Sequence, residues 1–234
     1  MNRLQIIYKK LLSHFSPQHW WPVTPQGKLY PEYSNGPKNQ KQQLEVIFGS
    51  ILTQSTSWKN VEKAIANLNR NNLIDIKKIS KIENKKLAEI IKSSGYHNQK
   101  AKKLKNFCQF LFKNYQGNLK KLFNQGIKKL RHELLSVNGI GPETADSIIL
   151  YAAKKPVFVV DAYTKRIINR MGFNEKTYEE FQKLFMQSLP NNESLFNEYH
   201  ALLVELGKNI CKKKPSCYKC PINSYCNYYK TRQN

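Results

Sequence analysis

Apolar residues recur at intervals of three and four along most of the chain. Leu4, Ile7, Leu11 and Leu12 mark one such stripe, Trp58, Val61, Ile65 and Leu68 a second, and Ala101, Leu104, Cys108 and Leu111 a third; "SLFNEYHALLVELG" (194–207) repeats in the same way. This is the periodicity of amphipathic helices, and period-two alternation is scarce, so the pattern predicts an all-α protein. Stops stand where helices need them: Pro17 after the first, Gly95 after "LAEIIKSS" and Gly172 after "AYTKRIINRM". One extended segment is expected, "KPVFVV" (155–160), running into Asp161, a residue type suited to an N-cap. "IKKLRHELLS" (127–136) and "PETADSIILYAA" (142–153) read as two helices joined by the tight turn "VNGIG" (137–141), with Pro142 acceptable in the first turn of the second helix. Residues 16 to 40, rich in Pro, Gly and aromatics, read as an ordered loop crossing a surface.

Composition adds a partner class to this helical frame. The 234 residues are 40% hydrophobic and 12% aromatic, enough for a real core, in one compact domain or two small ones. The 39 Lys and Arg outnumber the 16 Asp and Glu, a formal net charge of +23, and lysines occur in nearly every segment. A polyanionic partner is implied, nucleic acid first and an anionic membrane surface second; the alternative is a lysine-rich chain with merely solvated faces. No apolar run approaches the roughly 18–20 residues that span a bilayer. The first segment breaks its apolar positions with charge, unlike a secretory signal, so a soluble protein in a reducing, cytoplasmic compartment (nucleoid-associated in a prokaryote) is expected.

The five cysteines are unevenly placed. Cys108 sits alone among apolar neighbours and reads as a buried thiol. Cys211, Cys217, Cys220 and Cys226 form C-x5-C-x2-C-x5-C, close enough for four thiolates to clamp one metal centre. A zinc ribbon usually offers two C-x2-C knuckles where this run has one, and the longer flanking steps suit a [4Fe–4S] cluster better; spacing leaves both open.

A helix, a G-x-G hairpin and a helix can hold a nucleic-acid backbone, because glycines let the main chain approach and N–H groups near a helix N-terminus accept phosphate oxygens. Asn138, Gly139, Ile140, Gly141 and Thr144 are the candidate contacts, although a lone G-x-G is also an ordinary turn between core helices. The sequel is more specific. A hairpin followed about 20 residues later by an aspartate opening a helix resembles the helix-hairpin-helix DNA glycosylases of the endonuclease III family. "ILTQST" is similar to the family's segment whose residue fills the hole left by an extruded base, here Gln54; "GYHNQKA" (95–101) is similar to its helix-capping turn, and the terminal cysteines to its iron–sulfur loop. The first cysteine step is one residue shorter than the family's commoner spacing.

The resemblance implies a two-lobed helical fold: a six-helix barrel lobe over residues 38–150 that includes the helix-hairpin-helix at about 127–152, and a second lobe of residues 1–37 and 151–234 with a [4Fe–4S] loop at 211–226. It implies Asp161 as the catalytic carboxylate, beside the developing oxocarbenium ion, with Gln54, Trp21, Trp58 and Glu143 forming the wedge and base pocket. Each has a structural alternative: a helix N-cap for Asp161, a polar helix cap for Gln54, core packing for the tryptophans, and a dipole-stabilised carboxylate for Glu143. Bifunctional relatives carry a lysine at the position of Glu143, and a carboxylate forms no Schiff base, so the resemblance implies a monofunctional glycosylase. Adenine-excising relatives carry a glutamate where this chain has Gly49. "GIGPETAD" and "WWP" together resemble the 3-methyladenine branch, whose cationic purines attract an aromatic pocket. The expectation is a monomer acting on damaged double-stranded DNA, most specifically on alkylated purines, with no membrane partner. Alternatives are a glycosylase for oxidised, deaminated or mismatched bases, and a non-catalytic helix-hairpin-helix DNA-binding protein.

Overall fold

The computed structural model describes residues 1–232 and is helical nearly throughout. In chain order the helices are α1 (Arg3–Phe15), α2 (Gln40–Leu52), α3 (Trp58–Arg70), α4 (Ile76–Lys81), α5 (Asn84–Ile90), α6 (His97–Tyr115), α7 (Leu119–Phe123), α8 (Ile127–Leu135), α9 (Pro142–Ser147), α10 (Ala162–Arg170), α11 (Tyr178–Ser188), α12 (Glu193–Asn209) and α13 (Asn227–Lys230). The described residues form no strand; their one isolated bridge pairs Val23 with Glu32, and the segment 155–160 belongs to no helix or sheet, with Val157–Val160 buried. The second helix of the hairpin pair widens into a π turn at Ile148–Ala152. No described helix is long and apolar enough to cross a membrane.

The chain divides into two compact units, Met1–Trp20 with Pro156–Asn234, and Trp21–Lys155. Residues 21–37 cluster with the segment from 38 onward, and the reason is a buried carboxylate. Glu45, on α2, accepts from the Thr24 amide at 2.7 Å and the Thr24 hydroxyl at 2.9 Å, and Asn69 of α3 reaches both Thr24 and Glu45. Burial pushes the Glu45 carboxyl above its ordinary range, against the lowering effect of those donors.

The Trp21–Lys155 unit is organised around α2. Residues Leu44 to Leu52 are buried in an unbroken run, the mark of a helix surrounded on all sides; it packs against α3, α6, α7, α9 and the π turn. The stripes expected on α3 and α6 are buried as Val61, Ile65 and Leu68, and as Ala101, Leu104, Cys108 and Leu111. Burial pushes the Cys108 thiol far up, leaving it an inert core residue.

In the other unit α12 packs on α1 and α10. Its aromatic centre is Phe158 stacked on Phe185 at 3.8 Å, with Phe196 and Tyr199 edge-on. The buried Tyr199 hydroxyl donates to the Leu4 carbonyl at 2.9 Å, satisfying the one polar atom of that cluster.

Candidate active site and nucleic-acid interface

The hairpin is built by α8, the turn 137–141 and α9. Gly139 has φ of +96°, a region that side chains rarely enter, and the Ile140 amide closes the turn on the Val137 carbonyl at 3.0 Å. Ile140 is buried beneath the turn, while Asn138 and Gly141 are exposed. Pro142 opens α9, where its missing N–H costs no intrahelical bond. The two helices are clamped by a fork: Arg131 Nε and Nη2 donate to the two carboxylate oxygens of Asp146 at 2.8 and 3.2 Å, with the Asp146 side chain fully buried.

Gln54 lies against this turn. Its amide nitrogen donates to the Gly139 carbonyl at 3.1 Å and to the Thr144 hydroxyl at 2.9 Å, and Lys103 Nζ donates to its amide oxygen at 2.5 Å. The residue expected to fill a hole in DNA and the turn expected to hold the backbone are therefore joined directly, although 85 positions separate Gln54 from Gly139. The segment that presents Gln54 is fixed from behind by Lys100, which is 2% exposed and donates to the carbonyls of Leu52 and Ser94 at 2.8 and 2.6 Å. Burial, and secondarily the nearby Lys103 cation, lower the Lys100 ammonium to about 8.

The aromatic candidates cluster. Trp21 is buried, edge-on to Trp58 at 5.3 Å and tilted against Tyr151 at 5.1 Å. Its indole covers Gly49: a Cβ at that glycine would stand 3.1 Å from the ring. Trp58 is half-buried at the first position of α3. Glu143 is an exposed carboxylate in the first turn of α9, where the helix dipole favours negative charge.

Asp161 belongs to the Met1–Trp20/Pro156–Asn234 unit. Its backbone is extended and its Oδ1 accepts from the Thr164 amide at 2.7 Å, so it is the N-cap of α10. The other oxygen, Oδ2, faces Nε2 of buried His200 at 3.9 Å. Burial lowers the His200 pKa and the Asp161 charge opposes that shift, which favours a neutral imidazole at neutral pH. One carboxylate thus does two things: one oxygen ends a helix and the other remains directed at a polar neighbour.

The four C-terminal cysteines line one small pocket, about 290 Å³ including its solvent mouth. Burial pushes the Cys220 thiol up to about 11, and Cys211, Cys226 and Cys217 add to the shift, as expected of converging sulfurs. Among the described residues no group of three or more His, Cys, Asp or Glu side chains is placed to hold a single metal ion. Four sulfurs on one lining are nevertheless a donor set of the chemistry that iron and zinc both accept. Arg170 fixes the loop, donating to Cys211 Sγ at 3.2 Å and to the carbonyls of Lys212 and Lys213 at 2.7 and 2.9 Å; Arg166 holds the Cys211 carbonyl at 2.9 Å.

Sequence reasoning did not find Lys103, Lys100, His200 or the Arg131–Asp146 fork. Lys103 reads as one more solvent-facing lysine. Lys100 had a signal in "GYHNQKA", and His200 directly precedes the apolar run Ala201–Val204.

The chain is similar to known proteins over most of its length. Residues 48–191 match the model of the HhH-GPD superfamily base excision DNA repair protein. MJ1434 of Methanocaldococcus jannaschii, provisionally named a DNA repair glycosylase, is 45% identical over 224 residues, 94% of each chain. Endonuclease III of Thermotoga maritima is 30% identical over 204 residues, 84% of this chain and 89% of the relative. Among solved structures, the H. pylori 3-methyladenine DNA glycosylase MagIII bound to 1,N6-ethenoadenine aligns with a TM-score of 0.69 and 29% identity over 89% of this chain and 98% of that one. A trapped endonuclease III–DNA covalent intermediate aligns with a TM-score of 0.78 and 21% identity over 100% of both chains, a likeness of fold.

Proposed function

As a member of the HhH-GPD superfamily of base excision DNA repair proteins, to which this chain belongs, the protein is a DNA N-glycosylase with the endonuclease III fold, and we propose that it is monofunctional and releases alkylated purines such as 3-methyladenine. The observation that carries this reading is the indole of Trp21 over Gly49, beside Trp58 and Tyr151. That ring fills the place from which adenine-excising relatives project a glutamate, so the aromatic cluster, with half-buried Trp58 its more accessible ring, stands where a proton donor would. A purine alkylated on its ring carries positive charge: it is drawn to such faces and departs without a general acid. The similarity to MagIII, a 3-methyladenine glycosylase, supports the same substrate class.

In this reading the hairpin residues Asn138, Gly139, Ile140, Gly141 and Thr144 hold the backbone and Gln54 fills the hole left by the extruded base. The charge of Asp161 stabilises the oxocarbenium-like sugar or orients the attacking water. Neutral His200 behind its Oδ2 leaves that charge in place. Glu143 stands at the helix start where bifunctional relatives keep an amine, and an exposed carboxylate there favours a cationic base and forms no imine. Cys211, Cys217, Cys220 and Cys226 are the residues that would hold a [4Fe–4S] cluster. Such a cluster, when bound, cross-links the C-terminal loop and adds one-electron redox capacity.

The test uses duplexes that each carry one defined lesion: a methylated purine, an oxidised pyrimidine or uracil. The methylated purine should be released fastest, the abasic strand should break only after alkali, and borohydride should trap no covalent adduct. Preferred release of the oxidised pyrimidine together with an efficient borohydride adduct would overturn both the substrate class and the monofunctional assignment.

A further inference from the structure

A groove along α6 borders the hairpin site and extends beyond it. It holds about 1,090 Å³ including its solvent mouth, and every side chain lining it is a lysine or an amide, among them Lys102, Lys103, Lys105, Asn106, Gln109 and Asn138. Among the described residues no acidic, aromatic or aliphatic side chain lines it, although the same helix buries an apolar stripe elsewhere on its circumference. Gln99, Lys102, Lys103, Asn106 and Gln109 follow helical spacing, so the groove runs along the helix for about ten residues, roughly 15 Å. A DNA strand advances roughly 3.4 Å per nucleotide along the duplex axis, so this length matches about four phosphates.

Three of these side chains are fixed by the fold. Lys105 Nζ donates to the Ile82 carbonyl at 2.7 Å, Asn106 Nδ2 to the Asn138 carbonyl at 3.1 Å, and Lys103 reaches Gln54 while its methylenes lie over Gly139. Lys102 and Gln109 are exposed. Asn138 belongs both to this groove and to the hairpin turn, so the two surfaces are continuous. Lysines and side-chain amides are the groups that position nucleic-acid backbones without reading sequence.

We propose that this groove is a second backbone track, receiving the phosphates of duplex DNA beyond those held at the hairpin. It rests on the glycosylase reading, and its occupant is the sugar–phosphate backbone of the same duplex. Lys102 makes an ion pair with a phosphate, and the exposed amides donate to neighbouring phosphate oxygens. Lys103 joins the track to the wedge residue, because the cation that contacts Gln54 also lines the groove.

The experiment measures affinity of the full chain for an undamaged duplex across a salt series. Lys102→Gln should weaken binding several-fold near 0.1 M salt and reduce the slope of log affinity against log salt by about 0.9, the loss of one phosphate contact. Lys120→Gln, on α7 and outside the groove, makes the same change in net charge and should leave the slope unaltered. Equal slopes for Lys102→Gln and wild type, with Gly139→Val still losing affinity, would place DNA on the hairpin alone and overturn the track while leaving the glycosylase reading intact. A Lys102→Gln variant that keeps the DNA slope but loses binding to phosphatidylserine vesicles would assign the groove to a membrane surface and overturn it as well. A wild-type protein with no affinity for duplex DNA would remove both readings together.

Discussion

Breaking the fork between Arg131 and Asp146 should loosen the hairpin, and the two ends of the fork should not cost the same. The Asp146 side chain is fully buried and that of Arg131 is 23% exposed. In Asp146→Leu the guanidinium loses its bidentate acceptor but can turn its exposed edge to water, so the cost belongs at the lower end for a broken buried pair, about 3 kcal/mol. In Arg131→Met a carboxylate remains with no access to solvent and without its bidentate donor, and about 5 kcal/mol is expected. Replacing both residues by apolar side chains removes two desolvated charges together, so Arg131→Met/Asp146→Leu should fall within about 1 kcal/mol of wild type. Urea unfolding midpoints at pH 7 measure all four proteins, provided the dependence on denaturant stays constant. Equal single-variant costs, or a double variant as unstable as the sum of the singles, would refute the assignment of this pair as a buried, mutually compensating clamp.

Lys100→Met should destabilise by about 2 kcal/mol, because two carbonyls lose a buried donor. The folded-state value of about 8 for Lys100 lies below the usual lysine range, so the unfolded chain binds more protons above that pH. The wild type should therefore gain stability from this group between about pH 8 and 10.4, the ordinary lysine value, and Lys100→Met should lack that gain when urea midpoints are compared at both ends of the window. Purified anaerobically, the protein should be brown and contain iron, and Cys217→Ala should lose iron and soluble yield together; stoichiometric zinc without iron would contradict the cluster assignment.

Much of the fold was readable because it is carried by local periodicity. The stripes on α3 and α6 and the glycine stops at 95 and 172 are written in consecutive residues, and both glycines take positive φ. The hairpin was legible for the same reason: Gly139 needs its backbone freedom, and Pro142 fits where it stands. The run 155–160, β-branched and apolar, is buried and pairs with no strand among the described residues. The supporting residues of the site were illegible for a different reason. Lys103 meets Gln54 across 49 positions and His200 meets Asp161 across 39, and no spacing rule reports such contacts. A lysine stripe on a basic helix looks like solvated surface until the groove it lines is seen to touch the hairpin turn.

The central claim is that the charge of Asp161 drives base release, beyond its service as an N-cap. Asp161→Asn separates these roles, since asparagine caps a helix about as well as aspartate and can keep the bond from the Thr164 amide. The decisive measurement is single-turnover release of a methylated purine by wild type and Asp161→Asn, with thermal stability and duplex affinity determined on the same preparations. The account expects stability and affinity to change little while release slows by about 10²-fold or more, the effect of losing a charge aimed at a developing cation. Release at the wild-type rate by a folded, DNA-binding Asp161→Asn protein would contradict it and leave Asp161 as a helix cap alone.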